Sequence, residues 1–475
     1  MLAAVVKYYT LVVFSLCLNT SFSRCQLPRL NFTNLIETDY LVDKTLLIKA
    51  VFNASKYDQY MLMVYPMGFG RSLNMDMIKK FVEIEVDARG LLKPKKERKM
   101  LKLFSSKQNK TDGVGYLNIY SEENKRFFNK HVGKYPVIHF DFRYVQTCSF
   151  RRFFMAMKRV IRGEFIRHRY MFRGHVFTFD EKASLAQAFK NLNKLNPTIV
   201  ESFNYILILI NTLRRFYSKK VVVLVDDFDT PITKCALNYR MHCEQMYHFT
   251  QDFMTALYTS RTDVKFAIIN SIFRLPLDHP EIKTYLFHEV NPFNAYYGFT
   301  ETELHHLGKK FRVEEKEFHR MLAWYGNYHV ANGEVIVAKP QSTIDYLKTR
   351  RFRHFFKRPK HVLLQHFLTE PVFREDVRNL LTDTFIMFPA TNLTVDRLLT
   401  IRKEHKISAQ LIKSNKTTNT VLNYFLALGC FTVIEEPIKD LYKVVVPNLS
   451  IKWLFRQLQS YLSKTLRSMH LYYSM

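Results

Sequence analysis

The chain has 475 residues, 47% of them hydrophobic, with 13 glycines, 15 prolines and six cysteines. Those figures exclude a collagen-like or low-complexity chain and a small disulfide-built scaffold, and they allow two or three packed domains. A formal net charge of +29 excludes no fold, but it gives the surface a field that draws polyanions such as nucleic acid, anionic membrane, glycosaminoglycan or acidic protein.

The first residues read as a signal peptide, 1–23. Lys7 supplies a basic start, residues 8–18 an apolar core, and Ser21 and Ser23 the small residues before a cut. That core is short for a membrane span, and no later run is long and apolar enough; residues 203–213 come nearest. The expected location is outside the cell or in the lumen of the endoplasmic reticulum. Asn31, Asn53, Asn109, Asn392, Asn415 and Asn448 each open an Asn-x-Ser/Thr glycosylation sequence. Loss of the leader removes Cys17 and leaves Cys25, Cys148, Cys235, Cys243 and Cys430. That set allows one or two bridges with a thiol left over.

Beyond the leader, short apolar runs alternate with longer helical patterns. "YMLMVY" (60–65), "YPVIHFDF" (135–142), "VVVLVDD" (221–227) and "VKFAIIN" (264–270) read as buried strands. Helical patterns fall after "FGRSLN", to about residue 85, over 150–170 and over 203–217. Buried strands separated by helices predict a parallel sheet covered on both faces. Thr300 and Glu303 form a capping box for a helix starting at Glu301. Helices are expected to dominate 315–411, and "VLNYFLALGCFTV" with "LYKVVVPNLS" reads as a helix feeding a hairpin. The expected domains are an α/β domain over 24–298, a helical region over 299–410 and a winged-helix-like element over 411–475. Two basic blocks stand out, at 93–99 and 348–361. The first reads as a surface loop. The second interleaves Phe with Lys and Arg; its spacing suits an amphipathic helix better than a nucleic-acid surface.

Two places carry chemistry. "VYPMGFGRSLNM" sets a glycine turn between a strand and a helix, where backbone N–H groups and the helix N-terminus can cradle phosphate. Gly68 and Gly70 shape the turn; Arg71 and Ser72 stand where a P-loop has its Lys and its Mg²⁺-binding Ser or Thr. A plain glycine turn capped by Ser has the same look. At the end of "VVVLVDDFD", Asp226 is placed to organise Mg²⁺ and Asp227 stands where an ATPase has its water-polarising Glu. An acidic loop capping a strand is the rival reading.

Taken in order, "DYLVDKT", "YPMGFGRSLNM", "YPVIHFDF", "VVVLVDDFDTPI", "FAIINSIFR" and "YYGFTETEL" resemble the predicted AAA-ATPase-like family, a branch of the P-loop NTPases. "WYGNYHV", "GEVIVAKPQSTIDYL", "LNYFLALGCFTV" and "VPNLS" extend the likeness over about 31–462. The resemblance implies an α/β fold: an AAA-like parallel sheet flanked by helices, then a helical lid and a small winged-helix-like element. It implies ATP and Mg²⁺ as ligands and Asn270 as a polar sensor near the γ-phosphate. The departures are specific. The family's R-P-R-R is Tyr65-Pro66-Met67-Gly68, its P-loop Lys is Arg71, its D-E-Y-D is Asp226-Asp227-Phe228-Asp229, and its T-G is Asn270-Ser271. A planar guanidinium does not replace a compact ammonium in a phosphate nest, and Asp at 227 is one methylene shorter than Glu. The pattern implies a retained architecture with weak or absent hydrolysis and leaves nucleotide binding open. Some members carry a C-terminal nuclease-like module; the residues after "VPNLS" are too few for it, so no nuclease activity is carried over.

Cys235, His242, Cys243 and His248 mix zinc-binding residue types, but their spacing suits a disulfide or structural role better. Three functions compete: a secreted ATPase-like protein with a degenerate site, a non-catalytic basic binder of polyanions or partner proteins, and an intracellular ATPase with an uncleaved N-terminus.

Overall fold

The computed structural model describes residues 31–173, 176–191, 199–237, 241–275, 281–355, 367, 373–399, 415–457 and 459–460. The expected leader, Cys17 and Cys25 lie outside the described residues, as does the end of the second basic block.

Five strands form the central sheet: β1 (Tyr60–Val64), β2 (Val137–Asp141), β3 (Val221–Asp226), β4 (Val264–Ser271) and β5 (Ile282–Leu286). Their spatial order is β2-β3-β4-β1-β5, and every pairing is parallel. The inner strands read as unbroken apolar runs because both faces are covered: all residues of β1 and β3 are buried. Side chains alternate between faces. Met61 and Met63 share a core with α1 (Arg71–Val82) and the helix Leu46–Ala54. Tyr60, Leu62 and Val64 share the other core with α2 (Phe150–Arg167), α3 (Ile199–Tyr217), α4 (Thr230–Leu237) and α5 (Cys243–Thr259). A fully buried side chain such as Leu224 contributes roughly 1.5–3 kcal/mol by leaving water, so the sheet holds its strand ends in fixed register. That register sets the site: Asp141 lies opposite Asp226, and Val64 lies opposite both Ser271 and Leu286.

The expected helical lid is not all helix. β6 (Phe299–Thr300), β7 (Tyr328–Val330) and β8 (Val335–Ala338) form an antiparallel sheet in the order β6-β8-β7, set among α6 (Glu301–Lys310), α7 (Glu315–Tyr325) and α8 (Pro340–Thr349). Asn332 and Gly333, both with positive φ, turn the chain between β7 and β8, and the Val-rich run after them suits a strand. The capping box at α6 is present: Glu303 N–H donates to Thr300 Oγ1, and Glu303 accepts from Thr300 N–H.

The last unit is built on an apolar cluster that runs from Phe367 and Phe373 to Phe455 and also takes in Ala236, Ile272 and Phe273 beside the central sheet. It runs α9 (Arg374–Leu381), β9 (Ile386–Pro389), a short helix at 395–399, α10 (Asn415–Ala427), β10 (Thr432–Ile438) and β11 (Leu441–Val445), with sheet order β9-β11-β10. The expected boundary at 411 cuts through this unit, because its first described helix and strand precede it. The unit is seated on the central sheet: Phe273 stacks on Tyr424 with centroids 5.2 Å apart. The second basic block is not one helix. α8 ends at Thr349, Arg350 adopts φ +52, and Phe352 stacks on Tyr346 at 4.4 Å instead of facing outward for a base.

Candidate functional site

The glycine turn occupies 65–70, between the end of β1 and the start of α1. Gly68 (φ +86) and Gly70 (φ +89) adopt left-handed backbone that costs other L-residues about 1–2 kcal/mol. The two glycines differ in surroundings. A Cβ on Gly68 would come within 2.4 Å of Lys339 Cε, whereas a Cβ on Gly70 would meet only Asn74 Nδ2, at 3.9 Å. Lys339, the N-cap of α8, therefore rests on the turn; its buried ammonium lies over Phe69, and burial pushes it down to about 7. Gly70 stands at a helix N-terminus without a side-chain cap, the kind of position at which anions bind.

Asp226 closes β3, is fully buried and accepts from Asn270 Nδ2 at 3.1 Å. Asp227 follows at φ +54, leaving the strand line at once. Around them stands a residue that sequence reasoning missed. Arg143, two residues beyond β2, donates from Nε to Asp227 Oδ2 (2.8 Å) and from Nη2 to Ser72 Oγ (2.9 Å) and Asp226 Oδ2 (3.4 Å). Burial alone would lower its basicity, but Asp227, Asp141 and Asp226 outweigh this and raise it. Arg71 donates from Nη2 to Asp227 Oδ1 at 3.4 Å. Both oxygens of Asp227 are thus held by guanidinium groups.

Asp229 also bears on the site. It is fully buried; Oδ1 accepts from Ile272 N–H at 3.1 Å, and burial pushes its carboxyl up to about 6. Arg71 Nη1, Asn270 Oδ1 and Asp229 Oδ2 are buried with no hydrogen-bond partner among the described residues. Asp141, Asp226 and Asp227 bring carboxylate oxygens within 4.8 Å of one another. Hard oxygen donors of this kind suit Mg²⁺, but the guanidinium of Arg143 stands among them. With Arg143 in this position, the residues do not fit a metal ion.

Of the residues expected from sequence, Ser72, Arg71, Asp226, Asp227 and Asn270 converge, and Gly68 and Gly70 form the turn beside them. The acid that ends the second buried strand and the base two residues on, in "HFDFR", mark Asp141 and Arg143 in the sequence without showing what either would meet. A cavity of about 390 Å³ lies beside the turn, between the carboxyl ends of β1, β4 and β5 and the C-terminal unit. Pro66, Ile272, Phe287, His288, Asn423 and Tyr442 are among its walls.

Residues 98–279 match the family described as Predicted AAA-ATPase. The match covers less than half of the chain, and that segment is similar to the family. It contains Asp141, Arg143, Asp226, Asp227 and Asn270, whereas the glycine turn lies ahead of the matched stretch. Of the sheet strands, β2, β3 and β4 lie wholly within the AAA-ATPase-like segment, while β1 precedes it and β5 follows it. No curated protein matches the chain.

The expected glycosylation positions differ in surroundings. Asn53, Asn109 and Asn392 are exposed. Asn31 is half-buried and caps the helix Phe32–Ile36 through its side chain, and Asn415 opens α10, its side chain lying outside what is described. Asn448 is 4% exposed, with its amide donating to Gly326 O at 2.9 Å; a glycan there is incompatible with this packing. Cys235 and Cys243 form a disulfide, so neither thiolate serves a metal, while Cys148 and Cys430 are thiols.

Proposed function

We propose that the chain is a nucleotide-binding, AAA-ATPase-like protein of the secretory pathway whose hydrolytic step is slow or lost. The observation that carries this reading is the state of Asp227. The residue in the general-base position has both carboxylate oxygens engaged by Arg71 and Arg143, and each such ion pair lowers its readiness to take a proton from water. Catalysis by a positioned base requires that readiness, and a displacement of about 1 Å can cost ~100-fold in rate. Asn270, in the sensor position, is likewise bonded to Asp226.

Binding is supported separately. The open side of Gly70 with the N-terminus of α1 suits phosphate, and the neighbouring cavity has the volume of a small-molecule pocket. In this reading Arg71 and Ser72 meet phosphate, and the cavity beside Pro66 takes the nucleoside end. Secretion or retention in the endoplasmic-reticulum lumen is supported by the Cys235–Cys243 disulfide, a bond that persists in oxidising compartments, and by the exposed glycosylation sequences. A non-catalytic role in binding polyanions or partner proteins is favoured only by the net charge of +29; it predicts a steep salt dependence of heparin binding.

The test is an ATP titration of the purified chain beside Arg71→Ala, with turnover measured on the same samples. Saturable binding that weakens about tenfold or more in the variant, with turnover at background, is the expected result. Equal binding by both chains would overturn the assignment of the phosphate site. Turnover at about 1 s⁻¹ or above, in the range of ordinary enzymes, would overturn the impaired-catalysis reading.

A further inference from the structure

In a working P-loop site, the Ser or Thr after the Lys and the Asp ending the second motif strand hold Mg²⁺. Here the corresponding oxygens, Ser72 Oγ and Asp226 Oδ2, both accept from Nη2 of Arg143, at 2.9 and 3.4 Å. The same guanidinium binds Asp227 Oδ2 through Nε at 2.8 Å. We propose that Arg143 is the resident cation of this site, standing where a divalent ion would stand, and that the site takes a nucleoside polyphosphate free of metal. This rests on the nucleotide-binding reading above for its ligand, but not for the position of the cation.

Three observations support it independently of the family pattern. First, the guanidinium reaches three separate acceptors from two elements, the glycine-turn helix and the end of β3. A planar fork with fixed donors suits such a spread, and an ordinary surface ion pair does not produce it. Second, the local charges are nearly balanced already. Asp141, Asp226 and Asp227 cluster within 4.8 Å, and Arg71 and Arg143 both bind into that cluster. A divalent ion entering beside the guanidinium would meet repulsion at short range in a poorly screened setting. Third, Arg71 Nη1 is buried without a partner among the described residues, although its Nη2 holds Asp227. Arg71 is 7% exposed and opens the helix whose N-terminus faces the turn. That leaves a buried charged donor with no oxygen partner among the described residues, on the residue that opens the helix after the turn. The protein's own two arginines therefore supply the positive charge that the phosphates of a metal-free nucleotide need.

Two measurements on the full chain decide the matter. In the first, Mn²⁺ is titrated without nucleotide and free Mn²⁺ is followed by electron paramagnetic resonance, for the wild type and for Arg143→Met. The wild type should leave Mn²⁺ free, while the variant, its carboxylates released, should bind it about tenfold or more tightly. Equal, tight Mn²⁺ binding by the wild type would overturn the proposal, and that arm needs no variant to fold. In the second, ATP affinity of the wild type is measured in EDTA and in excess Mg²⁺. Affinities within about twofold of each other are expected. A loss of about tenfold or more on removing Mg²⁺ would overturn the proposal. Failure to bind ATP in either buffer would instead end the nucleotide-binding reading and the ligand assignment with it, leaving the Mn²⁺ titration to judge Arg143.

Discussion

Asp227 and Asp229 are two residues apart and meet different surroundings. Asp227 is gripped by two guanidinium groups, whereas Asp229 is fully buried with one oxygen unpartnered among the described residues. Burial raises the Asp229 carboxyl from its ordinary 3.8 to about 6. The folded chain therefore holds this proton more tightly than the unfolded one, and the associated stability falls as pH rises from about 4 to about 6. Asp229→Asn keeps an acceptor for Ile272 N–H and removes the ionisation. The variant should gain roughly 1–3 kcal/mol at pH 7 relative to pH 4, read by urea unfolding at both values. An equal effect of the substitution at both values would contradict that assignment. At this scale the sequence was only partly legible. Ser72, Asp226 and Asp227 could be placed from strand-end and turn patterns, because those patterns are local. Arg143 could not, because its role exists only once β2 and β3 are in register, bringing Asp141 opposite Asp226.

Among the elements, the glycine turn shows why two residues of one type need not be equivalent. Both Gly68 and Gly70 have positive φ, but only Gly68 is pressed by Lys339. Gly68→Ala should destabilise the protein by roughly 1–3 kcal/mol, combining backbone strain with displacement of the lysine stem. Gly70→Ala should cost less in stability, since its surroundings are open. Midpoints of chemical denaturation compare the two, and a larger loss at Gly70 would show that the lysine contact does not bear on the turn. The inner strands β1, β3 and β4 were legible as unbroken apolar runs, which burial on both faces requires. β5 was not, since it lies at the sheet edge, where Lys283 is exposed and interrupts the run. β6, β7 and β8 were missed for another reason. They are two to four residues long, too short to show a period, and are stabilised by pairing with one another.

At the scale of the whole molecule, buried histidines oppose acid. His168 is 2% exposed, and its ring nitrogens meet Val137 O and the Tyr170 hydroxyl. Burial pushes it down to about 3 from its ordinary 6.5, and burial likewise pushes His131 and His288 to about 4. A group kept neutral by the fold contributes stability that is complete above the unfolded value. That stability is lost as pH falls through 6.5 toward the folded value, at about 1.4 kcal/mol per pH unit between the two for a fully buried group. His131 and His288 keep some exposure and give less, because solvent screens them. Asp229 acts in the opposite direction over part of that range, but as one group against three. Unfolding free energy should therefore fall between pH 6.5 and 4, and His168→Gln should flatten the fall; a profile unchanged by the substitution would rule His168 out as a cause. The parallel sheet, the seated C-terminal unit and the charge network at the strand ends are what the proposal rests on: a site that holds a nucleotide without a base free to act on it. A single-turnover experiment tests this most directly: labelled ATP is mixed with excess protein, and bound ATP and ADP are separated over time. The expected result is that ATP is captured and stays intact. Conversion of the captured ATP to ADP at about 1 s⁻¹ or faster would contradict it.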